Sequence, residues 1–183
     1  MFGSKTRRSE WGIEGFNLVS KAHSIFTAID NIINTNGAVK LETISKFVPL
    51  LEGIHTENLA YSSKWQNIVR EDSKNGGSFT LLFGAVHAIE ASSQAIWASY
   101  VIGSIDKGSE VAKNGLQVYR ALAENCFGNA KGLLNFDFKM SQTQGSGWFA
   151  QTFQMITSSE LLSEIHTIAM NRPEVPEAWF PKL

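Results

Sequence analysis

The sequence predicts an all-α fold, a bundle of five or six helices forming one domain over residues 1–183. Apolar residues recur every three or four positions through most of the chain, which is the spacing of one helical face. Only 4 of the 183 residues are proline, and 43% are apolar. A chain of this length and composition buries a core without disulfides or metals.

The first helix is predicted over residues 11–34, behind a polar N-terminal arm formed by residues 1–10. Its end is expected at Asn36 and Gly37, a pair suited to the left-handed conformation that closes a helix. The apolar positions of its predicted buried face are Ile13, Phe16, Val19, Ala22, Phe26, Ile29 and Ile33.

A second helical stretch is predicted over residues 39–48. Pro49 lacks a backbone N–H and restricts the residue before it, so we expect a kink or break there. The helical pattern resumes over about 51–69. It ends in a loop of turn-forming residues at 71–77.

Residues 78–105 form the most apolar segment and are predicted to be the long central helix, with Ser78 as its cap. Glu90 is its one formally charged residue. Small side chains, spaced mostly four residues apart, predict a stripe against which another helix packs closely. These residues are Gly84, Ala88, Ser92, Ala95, Ser99 and Gly103.

The last third of the chain is less regular. A turn at 106–109 precedes an amphipathic helix predicted to end at Gly128. Residues 134–140 alternate as in a half-buried strand, and helical spacing returns over 148–171. Three prolines follow, so residues 172–183 are predicted to be an extended C-terminal arm.

His87 and Glu90 stand three apart on the central helix, where both side chains lie on one face. Three interpretations follow: a metal-ligand pair inside a bundle, a hydrogen-bonded core pair, or a polar strip that faces solvent. The chain does not reproduce the repeated Glu-x-x-His pattern of di-metal bundles. Two other histidines have carboxylates nearby in sequence: His55 lies between Glu52 and Glu57, and His23 lies near Asp30. Such neighbours are common on helical surfaces, so no catalytic residue is predicted.

Composition limits the partners. The formal net charge of −1 provides no field for nucleic acid, and Cys126, the one cysteine, excludes an intrachain disulfide. Without a secretory leader, the chain is predicted to be cytoplasmic. Membrane insertion of the 78–105 helix is the second alternative, disfavoured because a charged residue lies near its centre.

Aromatic residues near element ends give the leading functional prediction. Trp11, Trp148, Trp179 and Phe180 are expected to be exposed anchors for protein–protein contact or self-association. The sequence thus predicts a non-enzymatic interaction or assembly subunit without a cofactor. The alternative is a bundle, or an enzyme built on one, that binds a small molecule, a metal or haem, with His87 and Glu90 lining an internal pocket.

Overall fold

The computed structural model describes residues 2–35, 41–70, 76–135 and 160–172. Every regular element in these ranges is a helix, and the helices pack into a bundle, which confirms the all-α prediction. The six helices are α1 (Phe2–Asn34), α2 (Leu41–Ser45), α3 (Phe47–Arg70), α4 (Gly76–Ile105), α5 (Glu110–Asn135) and α6 (Glu160–Met170).

Helix α1 is longer than predicted. It begins at Phe2, so the N-terminal arm predicted over residues 1–10 is wrong for residues 2–10, which the structure describes as helix. Residues 5–10 are rich in Lys, Arg and Glu, which tolerate helical backbone well, and no proline interrupts them. Of the predicted C-terminal arm, only Arg172 is described; it lies just beyond α6, outside the helix, and residues 173–183 lie outside the described part.

The break expected near Pro49 lies three residues earlier. Helix α2 ends at Ser45, Lys46 forms a turn, and α3 starts at Phe47. Pro49 therefore occupies the first turn of α3, where backbone N–H groups have no partner within the helix. A missing donor costs nothing there.

Helix α4 packs against α1, α3, α5 and α6, and most of its side chains are buried. It starts at Gly76, so Ser78 is a buried residue of its first turn rather than the predicted cap. The small-residue stripe allows close packing: a Cβ added to Gly115 of α5 would clash with the Ser99 hydroxyl. Among the described helices, none combines the length and apolar character that crossing a bilayer requires.

The turn between α4 and α5 forms as the sequence indicates. The Asp106 carboxylate accepts from the Gly108 N–H at 3.1 Å, and the Ser109 hydroxyl caps α5 by accepting from the Ala112 N–H at 3.2 Å. Helix α5 continues past the expected stop at Gly128 to Asn135. The strand suggested by the alternation over 134–140 is therefore wrong for residues 134 and 135, which are helical. Residues 136–140 lie outside the described part of the chain.

Polar contacts fix α3 against α1. The Tyr61 hydroxyl donates to the Trp11 carbonyl at 3.0 Å, and the Trp65 indole N–H donates to Glu14 at 2.7 Å. Lys64 donates to the same Glu14 oxygen at 3.1 Å. These bonds set the rotation of α3, and hence which of its side chains face α4.

Candidate metal centre

Helix α3 positions His55 at the edge of the core. Its buried positions recur every three or four residues, which gives a stripe that faces the rest of the bundle. His55 directly follows one of them, Ile54, so its ring reaches the α4 interface while its side chain stays 19% exposed.

Helix α4 contributes His87 and Glu90, which share a face because they are three positions apart. Glu90 lies on the inner part of this face and is 0% exposed, whereas the His87 side chain is 31% exposed. The site is thus a buried carboxyl group beneath two imidazoles that reach solvent.

The three side chains converge on one point. Nδ1 of His55 lies 3.1 Å from Glu90 Oε2, and Nδ1 of His87 lies 3.8 Å from the same oxygen. The ring centroids of the two histidines are 5.8 Å apart. One ligand atom from each residue lies within 4.8 Å of the other two.

Burial controls the protonation of this cluster. Removal of water from around the carboxyl raises the pKa of Glu90 to about 8. The pKa of His87 is lowered, first by burial and second by the neighbouring charge of His55. Near neutral pH the cluster therefore favours a protonated carboxyl group and a neutral His87.

One Glu90 oxygen has no hydrogen-bond partner within the described part of the chain. This atom, Oε1, is buried, although its companion Oε2 contacts His55. A buried acceptor without a donor costs about 1–3 kcal/mol of stability. The bundle could avoid this cost with an apolar side chain at position 90, so the carboxyl group calls for an explanation.

The donor set fits a divalent transition metal. Two imidazole nitrogens and one carboxylate oxygen are the protein ligands of many catalytic zinc sites. With metal–ligand bonds of about 2.0–2.1 Å, tetrahedral ligands are about 3.3 Å apart, and the two distances to Oε2 lie on either side of this value. The ligand nitrogens of the two histidines lie within 4.8 Å of each other, so the rings would have to move closer together to close the set around one ion.

The sequence prediction captured part of this site. It paired His87 with Glu90, and the structure places both in the cluster. It missed the role of His55, which contacts Glu90 rather than the nearby acidic residues Glu52 and Glu57 that the sequence suggested. His55 and Glu90 are 35 positions apart, so only the packing of α3 on α4 reveals their contact.

The other predicted acid–base neighbours are also separate in space. His23 pairs with Glu124 of α5 at 3.0 Å, and its ring stacks on Phe127 with centroids 3.8 Å apart. Asp30 instead accepts from Arg120 at 2.6 Å. Both contacts tie α1 to α5, which is a structural role.

The exposure expected for Trp11 is wrong. This residue is 1% exposed, and its ring makes an edge-on contact with Phe79 at a centroid distance of 6.3 Å. Because α1 begins at Phe2, Trp11 lies within the helix, on the same buried face as Val19. The other predicted anchors, Trp148, Trp179 and Phe180, lie outside the described residues.

A separate groove of about 1050 Å³ lies between α1 and α3. Two ion pairs link these helices there: Lys64 with Glu14 at 3.1 Å, and Lys21 with Glu57 at 3.5 Å. His55, His87 and Glu90 do not line this groove. The cluster and the groove are therefore different features of the surface.

Comparisons with protein-family models, with curated proteins and with solved structures find no match for this chain. The strongest indication of function is the convergence of His55, His87 and Glu90 between α3 and α4.

Proposed function

We propose that this protein binds one divalent transition-metal ion through His55, His87 and Glu90. The observation that carries the proposal is the position of Glu90, a fully buried carboxyl group whose Oε2 lies within 3.8 Å of two imidazole nitrogens. A metal ion would satisfy the negative charge that burial otherwise disfavours.

The donor set points to a class of ion. Imidazole nitrogens suit Zn²⁺, Co²⁺, Ni²⁺ and Fe²⁺, whereas Mg²⁺ and Ca²⁺ prefer oxygen ligands throughout. Two nitrogens and one carboxylate therefore favour the first group. Zn²⁺ is the natural first probe, because it accepts three protein ligands and leaves a position for water.

The site also has a route of entry. The side chains of His55 and His87 are partly exposed, while Glu90 is buried beneath them. An ion arriving from solvent would meet the imidazoles first and the carboxylate last. Two helices would then be joined by coordination bonds, so binding should raise the melting temperature.

A thermal-shift experiment tests this proposal. Chelator-treated protein is melted with Zn²⁺, Co²⁺, Mg²⁺ or Ca²⁺, using wild type and the variants His55→Gln and His87→Gln. We expect Zn²⁺ and Co²⁺ to raise the melting temperature of the wild type alone. Equal melting temperatures with and without every ion would reject the proposal.

A matched control is available within the chain. His23 is also a partly buried histidine that contacts a glutamate on another helix, at 3.0 Å. His23→Gln removes a comparable interhelical contact but leaves the proposed ligands intact. It should keep the full metal-dependent shift.

The association function predicted from the sequence stays a prediction. Three of its four proposed anchors lie outside the described residues, and the fourth, Trp11, is buried. Metal binding is the better supported proposal, because its three residues are described and converge.

A further inference from the structure

Asn58 is a second buried polar residue at the interface of α3 and α4. It follows His55 by three positions, which places it one helical turn further along the same face. It is 1% exposed, and its Nδ2 donates to the Phe83 carbonyl at 3.0 Å. Phe83 in turn precedes His87 by four positions, or one turn of α4.

The bond to Phe83 fixes the orientation of the Asn58 amide. A carbonyl oxygen only accepts hydrogen bonds, so the NH₂ group must face Phe83 and Oδ1 must face away from it. Oδ1 is buried and has no hydrogen-bond partner within the described ranges. Asn58 Oδ1 and Glu90 Oε1 are thus two unsatisfied acceptors on the facing sides of one helix pair.

The two helices run antiparallel through this interface. His55 contacts Glu90, whereas Asn58, further along α3, contacts Phe83, which is earlier in α4. Each helix also carries a histidine that is followed three positions later by a side chain with an oxygen acceptor. These pairs are His55 with Asn58 on α3, and His87 with Glu90 on α4. A cation can bind such an unsatisfied oxygen directly, or a water molecule bound to the cation can donate a hydrogen bond to it.

We infer that Asn58 Oδ1 completes the donor set of the metal centre, binding the ion itself or its bound water. This inference rests on the proposed metal-binding function. It assigns two donors to α3 and two to α4, so that the ion links the helices symmetrically. The fourth donor is a neutral amide oxygen, which binds less strongly than a carboxylate and leaves the ion exchangeable.

The inference is tested by measuring Zn²⁺ dissociation constants by calorimetry on chelator-treated full-length protein. Asn58→Ala removes the oxygen and should weaken binding about tenfold. Asn58→Asp supplies a charged oxygen in the same place but loses the hydrogen bond to the Phe83 carbonyl. It should therefore destabilise the metal-free protein, tighten Zn²⁺ binding and enlarge the metal-dependent rise in melting temperature. If Asn58→Asp does not fold without metal, Asn58→Ala decides the outcome.

Asn67→Asp is the matched control, because Asn67 is an exposed residue of the same helix. It adds the same charge away from the interface and should leave the Zn²⁺ affinity unchanged. Wild-type affinity in both Asn58 variants would overturn the role of Asn58 but leave the three-residue site standing. Failure of the wild type to bind Zn²⁺ would overturn both.

Discussion

Glu90 Oε2 lies 3.1 Å from Nδ1 of His55, and this contact joins α4 to α3 at a point where the carboxyl group is fully shielded from water. With a pKa raised to about 8, the Glu90 carboxyl is largely protonated near pH 7. Binding of a cation would replace that proton.

Replacement of Glu90 by leucine should stabilise the metal-free protein. Leucine removes the buried Oε1 acceptor that has no partner in the described chain, while the His55 ring that loses Oε2 is partly exposed and can bond to water instead. We therefore expect the free energy of unfolding to rise by about 1 kcal/mol. Urea unfolding measures this change. Glu124→Leu is the control, since its exposed pair with His23 contributes at most about 1 kcal/mol. A loss above about 2 kcal/mol for Glu90→Leu would contradict the account.

The metal-free wild type should lose stability as the pH rises from 7 to 8. The pKa of Glu90 is about 8 in the folded chain against 4.5 in the reference state, so the folded state holds the extra proton in this window. Its contribution is full below pH 4.5 and is lost as the pH passes 8, with a slope of up to about 1.4 kcal/mol per unit. The pKa values of His87 and His166 are lowered from 6.5, so these residues change the stability of the fold below about pH 6.5 and not between pH 7 and 8.

Glu90→Leu serves as the control for this pH dependence. The variant should show a flatter profile than the wild type between pH 7 and 8 when both are unfolded in urea. Parallel profiles for the two proteins would show that Glu90 does not hold an extra proton in the folded state.

Gly115→Ala should destabilise the packing of α4 and α5. An added Cβ would clash with the Ser99 hydroxyl and lie 2.8 Å from Ile165 Cδ1, so the cost should be about 1–3 kcal/mol. Gly128→Ala in the same helix meets nothing within 4 Å and should gain up to about 1 kcal/mol from helix propensity. Chemical denaturation of both variants gives the comparison. Equal effects would argue against the close approach.

Cys126 should be unreactive in the folded protein. It is fully buried, and burial raises the pKa of its thiol to about 12, so almost no thiolate is present near neutral pH. A chromogenic disulfide reagent should therefore label it only as fast as the chain unfolds, and at once in urea. Rapid labelling without denaturant would place this thiol at the surface.

The sequence predicted the helices better than the contacts between them. Apolar periodicity located α4, and turn-forming residues located the turn at 106–109, because each signal lies within a few residues along the chain. The predicted exposure of Trp11 is wrong because α1 begins at Phe2, so this residue lies inside the helix and not at its end. Local sequence signals fix helix ends poorly where polar residues also favour helix.

In the candidate site, too, the sequence predicted what lies within one helix but not the contacts between helices. The spacing of His87 and Glu90 placed them on one face, and the structure agrees. The roles of His55 and Asn58 depend on how α3 is rotated, which long-range contacts such as Tyr61 to Trp11 determine. A single sequence does not encode such contacts in any local pattern, so packing had to supply them.

The most direct test of the central claim is the number of Zn²⁺ ions bound per chain, measured by calorimetry on chelator-treated protein and checked by elemental analysis after dialysis. The account predicts one ion per chain for the wild type and for His23→Gln, and none for His55→Gln or Glu90→Leu. No bound ion in the wild type, or undiminished binding in the His55 and Glu90 variants, would contradict it.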